Sequence, residues 1–454
     1  MKKLNKVLVL VLSAIMTLAM SVSVFAAGTG SITITPPDDI DTSKPITYTI
    51  YKVFDADGNG TAISYKLVSG KTTAPAGFTV DASGNVTYSG TGTGGQLTQA
   101  DIDAIKAYVT DADIVATATS TGGADAVASG LPNGYYYITT TTGTVVTIDS
   151  TNPNATVDDK NTVPSVDKKI TGASSYDADG KKALAQVGTQ VSFQADVTVG
   201  KGQLNYVFKD TLGTGLAYVD GSLAVAGMTA GTDYTLTVSG QNITVTFANA
   251  AIEKLAEGSK INVTYKATVT SDALQDNPAK NTATISYGNN SQYTSEPSET
   301  ETYNAKISVL KNDNSNKPLK GAGFVLKNAD DKYYKITSGV VSWVDSIDDA
   351  TEYISGDDGK LNGEFTGLAD GTYTLEEKTV PSGYNKAPNQ AVTIAAHDYS
   401  AGNLKQTATV VNNPGTVMPG TGGIGTTIFY VLGSLLVVGC GIVLVSRKRM
   451  QNNK

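Results

Sequence analysis

The chain of 454 residues has one cysteine, one histidine and one tryptophan: Cys440, His397 and Trp343. A Ser-His-Asp or Cys-His catalytic arrangement is excluded as a working hypothesis by that inventory. A lone His397 in a turn-rich stretch reads as a surface residue. No metal-ligand spacing occurs, so neither a metal nor a cofactor is expected. Cys440 lies inside a C-terminal apolar run. The rest of the chain therefore has no disulfides, although the outside of a cell would permit them. Positive charge is also short: 34 Lys and Arg stand against 42 Asp and Glu, for a net charge of -8. With no basic stripe carrying interleaved aromatics, a nucleic-acid partner is not expected.

What is present points to β-structure outside the cell. Hydrophobic residues make up 40%, enough for packed cores, and Tyr (23) outnumbers Phe (9). With abundant Gly and Thr, that balance favours half-exposed strands over helices. The length suggests about two to four domains. Residues 1–27 read as a signal peptide: Lys2, Lys3 and Lys6, then an apolar stretch over 7–20, then small or β-branched residues before a cut near Ala26 or Ala27. The C-terminal segment 418–454 has three parts in order. Met418-Pro419-Gly420-Thr421-Gly422 comes first, then a mostly apolar stretch over 424–445, then Arg447, Lys448 and Arg449. The apolar part is long enough to cross a bilayer, and the basic end fits the cytoplasmic side. The pentapeptide resembles the sortase sorting signal Leu-Pro-x-Thr-Gly, with Met418 in place of Leu. The resemblance implies that a sortase cysteine attacks the Thr421 carbonyl, releases Gly422 onward, and passes the acyl group to an amine.

Between the ends, strand-like runs alternate with turns. In residues 28–158 they include residues 31–35 and 48–54, with Gly58-Asn59-Gly60 as a turn signal. One helix is expected after Thr98, with Ile102, Ile105 and Val109 on one face. Residues 159–163 read as a linker. Residues 164–300 contain strands at about 191–199, 204–209, 233–239, 242–247, 260–270 and 282–287, the pattern of a β-sandwich. Residues 296–302 read as a polar linker, and 305–414 as a third all-β unit. The expected fold is all-β: tandem Ig-like sandwiches in an elongated rod, with a leader and a C-terminal transmembrane sorting segment.

Two of these units carry the same arrangement of residues. In the middle unit Val166, Lys168 and Ile170 share a strand face, as do Tyr206, Phe208 and Asp210, and Asn281, Ala283 and Ile285. In the third unit the sets are Ile307, Val309 and Lys311; Tyr373, Leu375 and Glu377; and Val410 and Asn412. Taken singly, each polar residue suits a solvated strand end. Taken as two matching triplets in one order, they suit an intramolecular isopeptide bond. An apolar core disfavours both charges, leaving a neutral amine beside a protonated acid. The amine can then attack the Asn carbonyl while the acid stabilises the developing charge, and ammonia leaves. Such a link constrains the unfolded chain as a disulfide does.

The third unit also resembles a Cna B-type domain of Gram-positive pilins. The residues are Val309-x-Lys311, Gly321 to Leu326, Tyr373-Thr374-Leu375-Glu376-Glu377, Pro381-Ser382-Gly383-Tyr384 and a terminal Asn412. By that match Glu377 assists a bond between Lys311 and Asn412, with Asn413 as the alternative. Residues 164–168, Asp210-Thr211-Leu212, Gly215-Leu216 and 281–284 resemble the middle domain of major pilins. That match makes Asp210 the assisting acid for Lys168 and Asn281, with Lys169 ranked second. Val157-Asp158-Asp159-Lys160-Asn161 stands where pilins have Val-Tyr-Pro-Lys-Asn. By alignment Lys160 is the amine that resolves the Thr421 acyl-enzyme of the next subunit. The first unit offers no such set, although Lys52 is a possible donor.

The resemblance implies a non-enzymatic shaft subunit of a cell-surface pilus. Its implied partners are identical subunits, pilin-type and housekeeping sortases, peptidoglycan, and tip or base minor pilins. The precursor would sit transiently in the membrane before wall anchoring. The competing expectation is a wall-anchored adhesin or minor pilin not polymerised through Lys160. A wall-linked hydrolase, using acids such as Asp357 and Asp358, is the third and weakest reading because no cleft or histidine supports it.

Overall fold

The structure is a computed structural model describing residues 30–37, 40–59, 62–92, 96–141, 145–150, 154–275, 277–416 and 424–452. The leader at 1–27 and the pentapeptide at 418–422 lie outside the described residues. Three pairs of sheets follow one another along the chain.

In the first pair, the strand Gly30–Thr35 runs between Asn154–Asp158, parallel to it, and Ala126–Leu131, antiparallel. The second sheet is built on the long strand Ile46–Asn59, which pairs with Ala62–Leu67, Ile114–Ser120 and Gly134–Thr140. Pairing with Ala62–Leu67 extends to Asn59, so Gly58 and Asn59 are strand residues, while Gly60 lies outside the described residues. Period-two alternation buries Ile32 and Ile34 against Tyr48 and Ile50 in one core. The expected helix runs Gln99–Tyr108. Thr98 and Asp101 form its capping box, each side chain accepting from the other's backbone N–H, and Ile105 is fully buried.

The middle pair holds the site residues. One sheet orders the strands Ser165–Gly172, Gln190–Thr198, Lys260–Val269 and Leu216–Tyr218. The other centres on Ala279–Tyr287 between Val207–Leu212 and Ser298–Tyr303. This last strand corrects one expectation. Residues 296–302 do not form a linker, because Ser298–Tyr303 pairs antiparallel with Ala279–Tyr287 and parallel with Lys182–Leu184. Its run Ser-Glu-Thr-Glu-Thr-Tyr looks soluble by composition. Thr300 and Thr302 nevertheless alternate inward and are buried, which leaves the glutamates on the outer face.

In the third pair, Ala305–Asp313 lies between Phe365–Leu368 and Lys405–Asn412, parallel to the latter. The facing sheet joins Gly323–Lys327, Gly371–Thr379 and Gln390–Ile394. Apolar packing is continuous from the middle pair into the third, where Val187 packs near Val341. There Val187 N–H donates to the Gly367 carbonyl at 3.0 Å and Trp343 Nε1 to Gln186 Oε1 at 2.6 Å. Gly367 has φ of +70°, and a Cβ there would stand 3.0 Å from Val187 and Val341, so the position needs glycine. Tyr293 ties the first pair to the middle one, its hydroxyl donating to the Pro45 carbonyl at 2.8 Å. Among the described residues one helix, Ile424–Gln451, is long and apolar enough to cross a membrane.

Candidate functional site

In the middle sandwich the strand Ser165–Gly172 alternates in burial, and Val166, Lys168 and Ile170 point inward. Lys168 is completely buried. Lys169 takes the opposite face, where its ammonium pairs with Asp167 at 3.0 Å. Asp210 and Asn281 come from neighbouring strands of the facing sheet and are also buried. Lys168 Nζ makes an ion pair with Asp210 Oδ2.

A fourth residue, absent from the sequence reading, completes the cluster. Tyr265 sits inward on Lys260–Val269, in the same sheet as Lys168 but with the strand Gln190–Thr198 between them. Its hydroxyl accepts from Lys168 Nζ at 2.6 Å and from Asn281 Nδ2 at 2.7 Å. The signal in the sequence was a tyrosine in an inward stripe with Ile261, Val263, Ala267 and Val269. A fully buried hydroxyl needs a partner.

Phe193 stacks on Tyr265 with ring centroids 5.4 Å apart, and Lys168 Nζ lies 4.9 Å and 4.8 Å from the two ring centres. That apolar wall governs the protonation states. Burial pushes the Lys168 ammonium down, against the opposing pull of Asp210. Burial pushes the Asp210 carboxyl up, partly offset by Lys168 and Tyr265. Both shifts favour neutral forms. Asp210 Oδ1 and Asn281 Oδ1 are buried without a hydrogen-bond partner. A buried oxygen left unpaired costs about 1–3 kcal/mol, so this cluster is poorly satisfied as separate side chains.

The third sandwich brings Lys311, Glu377 and Asn412 together, all buried. The geometry differs. Lys311 and Asn412 stand on adjacent parallel strands of one sheet, where Lys311 is level with Val410 and Asp313 with Asn412. Glu377 reaches in from the facing sheet. Its Oε1 accepts from Asn412 Nδ2 at 2.8 Å and its Oε2 from the Ala387 N–H at 2.7 Å. Lys311 Nζ donates to the Asn312 carbonyl at 2.6 Å, and burial lowers its pKa. Asn412 Oδ1 is another buried oxygen without a partner. Asn413 is exposed and does not share the cluster.

Lys160 is exposed on a segment that is firmly held. Asp159 N–H donates to the Thr35 carbonyl at 2.8 Å, and the buried Asp159 carboxylate accepts from Tyr48 Oη at 3.0 Å. Asn161 is buried on the other side, and Lys201 N–H donates to Thr162 Oγ1 at 2.8 Å. A Cβ on Gly200 would stand 2.2 Å from the Thr162 carbonyl oxygen, so glycine lets the two segments touch. The linker at 159–163 is thus an alternating ledge that buries Asp159 and Asn161 and presents Lys160. In the first sandwich, Lys52 pairs with Asp55. His397, Asp357 and Asp358 are exposed.

Successive β-sandwiches, two of them with a buried Lys, acid and Asn cluster, are followed by an apolar helix with a basic end. Comparisons with known proteins agree. The SpaA prealbumin-like fold domain matches residues 305–409, and the Sgo0707 N2 domain matches 172–301. A fimbrial subunit type 2 of Actinomyces naeslundii is 28% identical over 314 residues, 58% of this chain and 58% of that protein. The chain therefore spans under two thirds of the length of this curated relative. Two solved backbone proteins share the fold. The T6 backbone pilin of Streptococcus pyogenes serotype M6 is 18% identical, with TM-score 0.52, over 82% of this chain and 81% of that one. The full-length RrgB pilus protein of Streptococcus pneumoniae is 16% identical, with TM-score 0.50, over 88% of this chain and all of that one. The chain shares the fold of these two solved backbone pilins.

Proposed function

We propose that this chain is the repeating shaft subunit of a covalent cell-surface pilus. The leader at 1–27 exports it, and the apolar helix holds the precursor in the membrane. A pilin-type sortase cleaves after Thr421 within the 418–422 pentapeptide, and Lys160 of the next subunit resolves the acyl-enzyme. The last subunit passes to peptidoglycan through a housekeeping sortase. The units at 28–158, 164–300 and 305–414 are the shaft modules, and minor pilins would supply tip and base. The protein performs no turnover chemistry of its own.

The observation that carries the reading is the Lys160 ledge. An acceptor for another protein's active site must be reachable, and Lys160 is the exposed residue between two buried neighbours. Lys160→Ala should abolish the ladder of high-mass species that resists hot detergent, leaving a single wall-linked band. A ladder that persists in the variant overturns the Lys160 assignment.

Within each subunit, Lys168 joins Asn281 and Lys311 joins Asn412, with Asp210 and Glu377 assisting. Amine attack on the Asn Cγ expels ammonia and leaves an amide. A proton on Asp210, shared with Asn281 Oδ1, would satisfy both orphaned oxygens and stabilise the developing oxyanion. The Lys168 link would staple the two sheets of its sandwich. The Lys311 link would staple two neighbouring strands of one sheet.

A further inference from the structure

The two clusters differ in one atom that matters for proton transfer. Making an amide from an amine and a primary amide requires a proton to leave the attacking nitrogen and another to reach the departing one. In the third sandwich Lys311 Nζ donates to backbone carbonyls and Asn412 Nδ2 to Glu377. Among the described residues no side-chain hydroxyl is hydrogen-bonded to either nitrogen. In the middle sandwich one hydroxyl contacts both nitrogens, at 2.6 Å from Lys168 Nζ and 2.7 Å from Asn281 Nδ2. Asp210 is already engaged with Lys168 through Oδ2.

We propose that Tyr265 is a catalytic residue of the Lys168–Asn281 reaction, carrying the proton from the attacking nitrogen to the leaving one. The inference rests on the isopeptide reading above. Neutral Lys168 Nζ adds to Asn281 Cγ and forms the new C–N bond, with the oxygen's charge held by the protonated Asp210. Tyr265 Oη then accepts a proton from Nζ while its own hydroxyl proton passes to Nδ2. The Cγ–Nδ2 bond breaks and ammonia leaves. The products are the Lys168–Asn281 amide, one ammonia, and Tyr265 with a proton restored. No outside oxidant or base is consumed.

The site is suited to this task. Tyr265 is buried and its pKa is driven well up, chiefly by burial, so the phenol keeps its proton at neutral pH. The stack on Phe193 fixes the ring, so the hydroxyl cannot swing away from the two nitrogens. A relay of this kind contributes about 100-fold to a rate in typical general acid–base catalysis.

The test follows both links in one molecule. Full-length chain is made by cell-free synthesis. Samples are digested at intervals, and the cross-linked peptides containing Lys168–Asn281 and Lys311–Asn412 are quantified by mass spectrometry. In Tyr265→Phe the first link should form about 100-fold more slowly. The second should form at the wild-type rate, showing that synthesis and folding of the third sandwich are intact. In wild-type chain, formation of the first link should slow in D2O, as expected when a proton is in flight. Equal rates for wild type and Tyr265→Phe overturn the role of Tyr265. So does a wild-type rate unchanged in D2O, a result that does not depend on how the variant folds. If wild-type chain never yields the Lys168–Asn281 peptide, the isopeptide reading itself fails and this inference falls with it.

Discussion

Replacing Lys168 by Met removes the attacking amine yet keeps an unbranched side chain of similar reach in the core. The proposed link closes a loop of roughly 110 residues, and the chain-entropy account assigns such a closure about 5 kcal/mol. The residue left behind adds little to that loss. Burial raises the Asp210 pKa, which favours the neutral acid once the Lys168 amine is gone. The net expectation is a loss of about 5 kcal/mol, which lowers the melting transition of the middle sandwich by roughly 15 °C. Calorimetry of the full chain measures this directly, and intact mass must rise by one ammonia after allowing for the substitution. The middle and third sandwiches share a continuous core, so the transition of the third should shift downward by a smaller amount. A middle transition within about 2 °C of wild type refutes the reasoning, because a real cross-link of that loop length cannot be lost so cheaply.

Glu377→Ala should leave Lys311 and Asn412 unlinked. It should add one ammonia to the mass beyond the substitution and destabilise the third sandwich by about 5 kcal/mol; normal linkage in the variant would remove Glu377 from the reaction. Asp159 offers a pH prediction. Burial raises its pKa above the usual carboxylate value, so the folded state binds its proton more tightly than the unfolded state does. Its contribution to stability is fully present below the unfolded pKa and is lost as pH rises through the folded one. Asp159→Asn should therefore flatten that loss and raise stability at neutral pH, because Asn keeps an acceptor for Tyr48 Oη. Urea midpoints at about pH 4 and about pH 7 measure it, and an unchanged difference between them would count against a buried, protonation-sensitive Asp159.

Much of the site was legible because period-two alternation assigns faces without any tertiary knowledge. Val166, Lys168 and Ile170, or Tyr373, Leu375 and Glu377, had to point the same way once they were strand residues. The same rule does not say which strand stands opposite. It could not show that Lys168 and Asn281 stand on facing sheets while Lys311 and Asn412 share one sheet. Composition misled at 296–302, where outward glutamates masked inward Thr300 and Thr302. Tyr265 escaped because a tyrosine in a buried stripe resembles any other core aromatic until its hydroxyl finds two nitrogens.

The sequence alone determined the C-terminal apolar helix, the run of β-units and which Lys, acid and Asn side chains share a face with apolar neighbours. These depend on local hydrophobicity and alternation, which act over a few residues. Only the tertiary structure decided what surrounds them: the Tyr265 hydroxyl between Lys168 and Asn281, the burial of Asn412 beside an exposed Asn413, and the buried Asp159 and Asn161 on either side of the exposed Lys160. Those outcomes rest on contacts between residues far apart in the chain, such as Tyr48 with Asp159 and Lys168 with Tyr265. They follow from how sheets pack across one core, which no local pattern encodes.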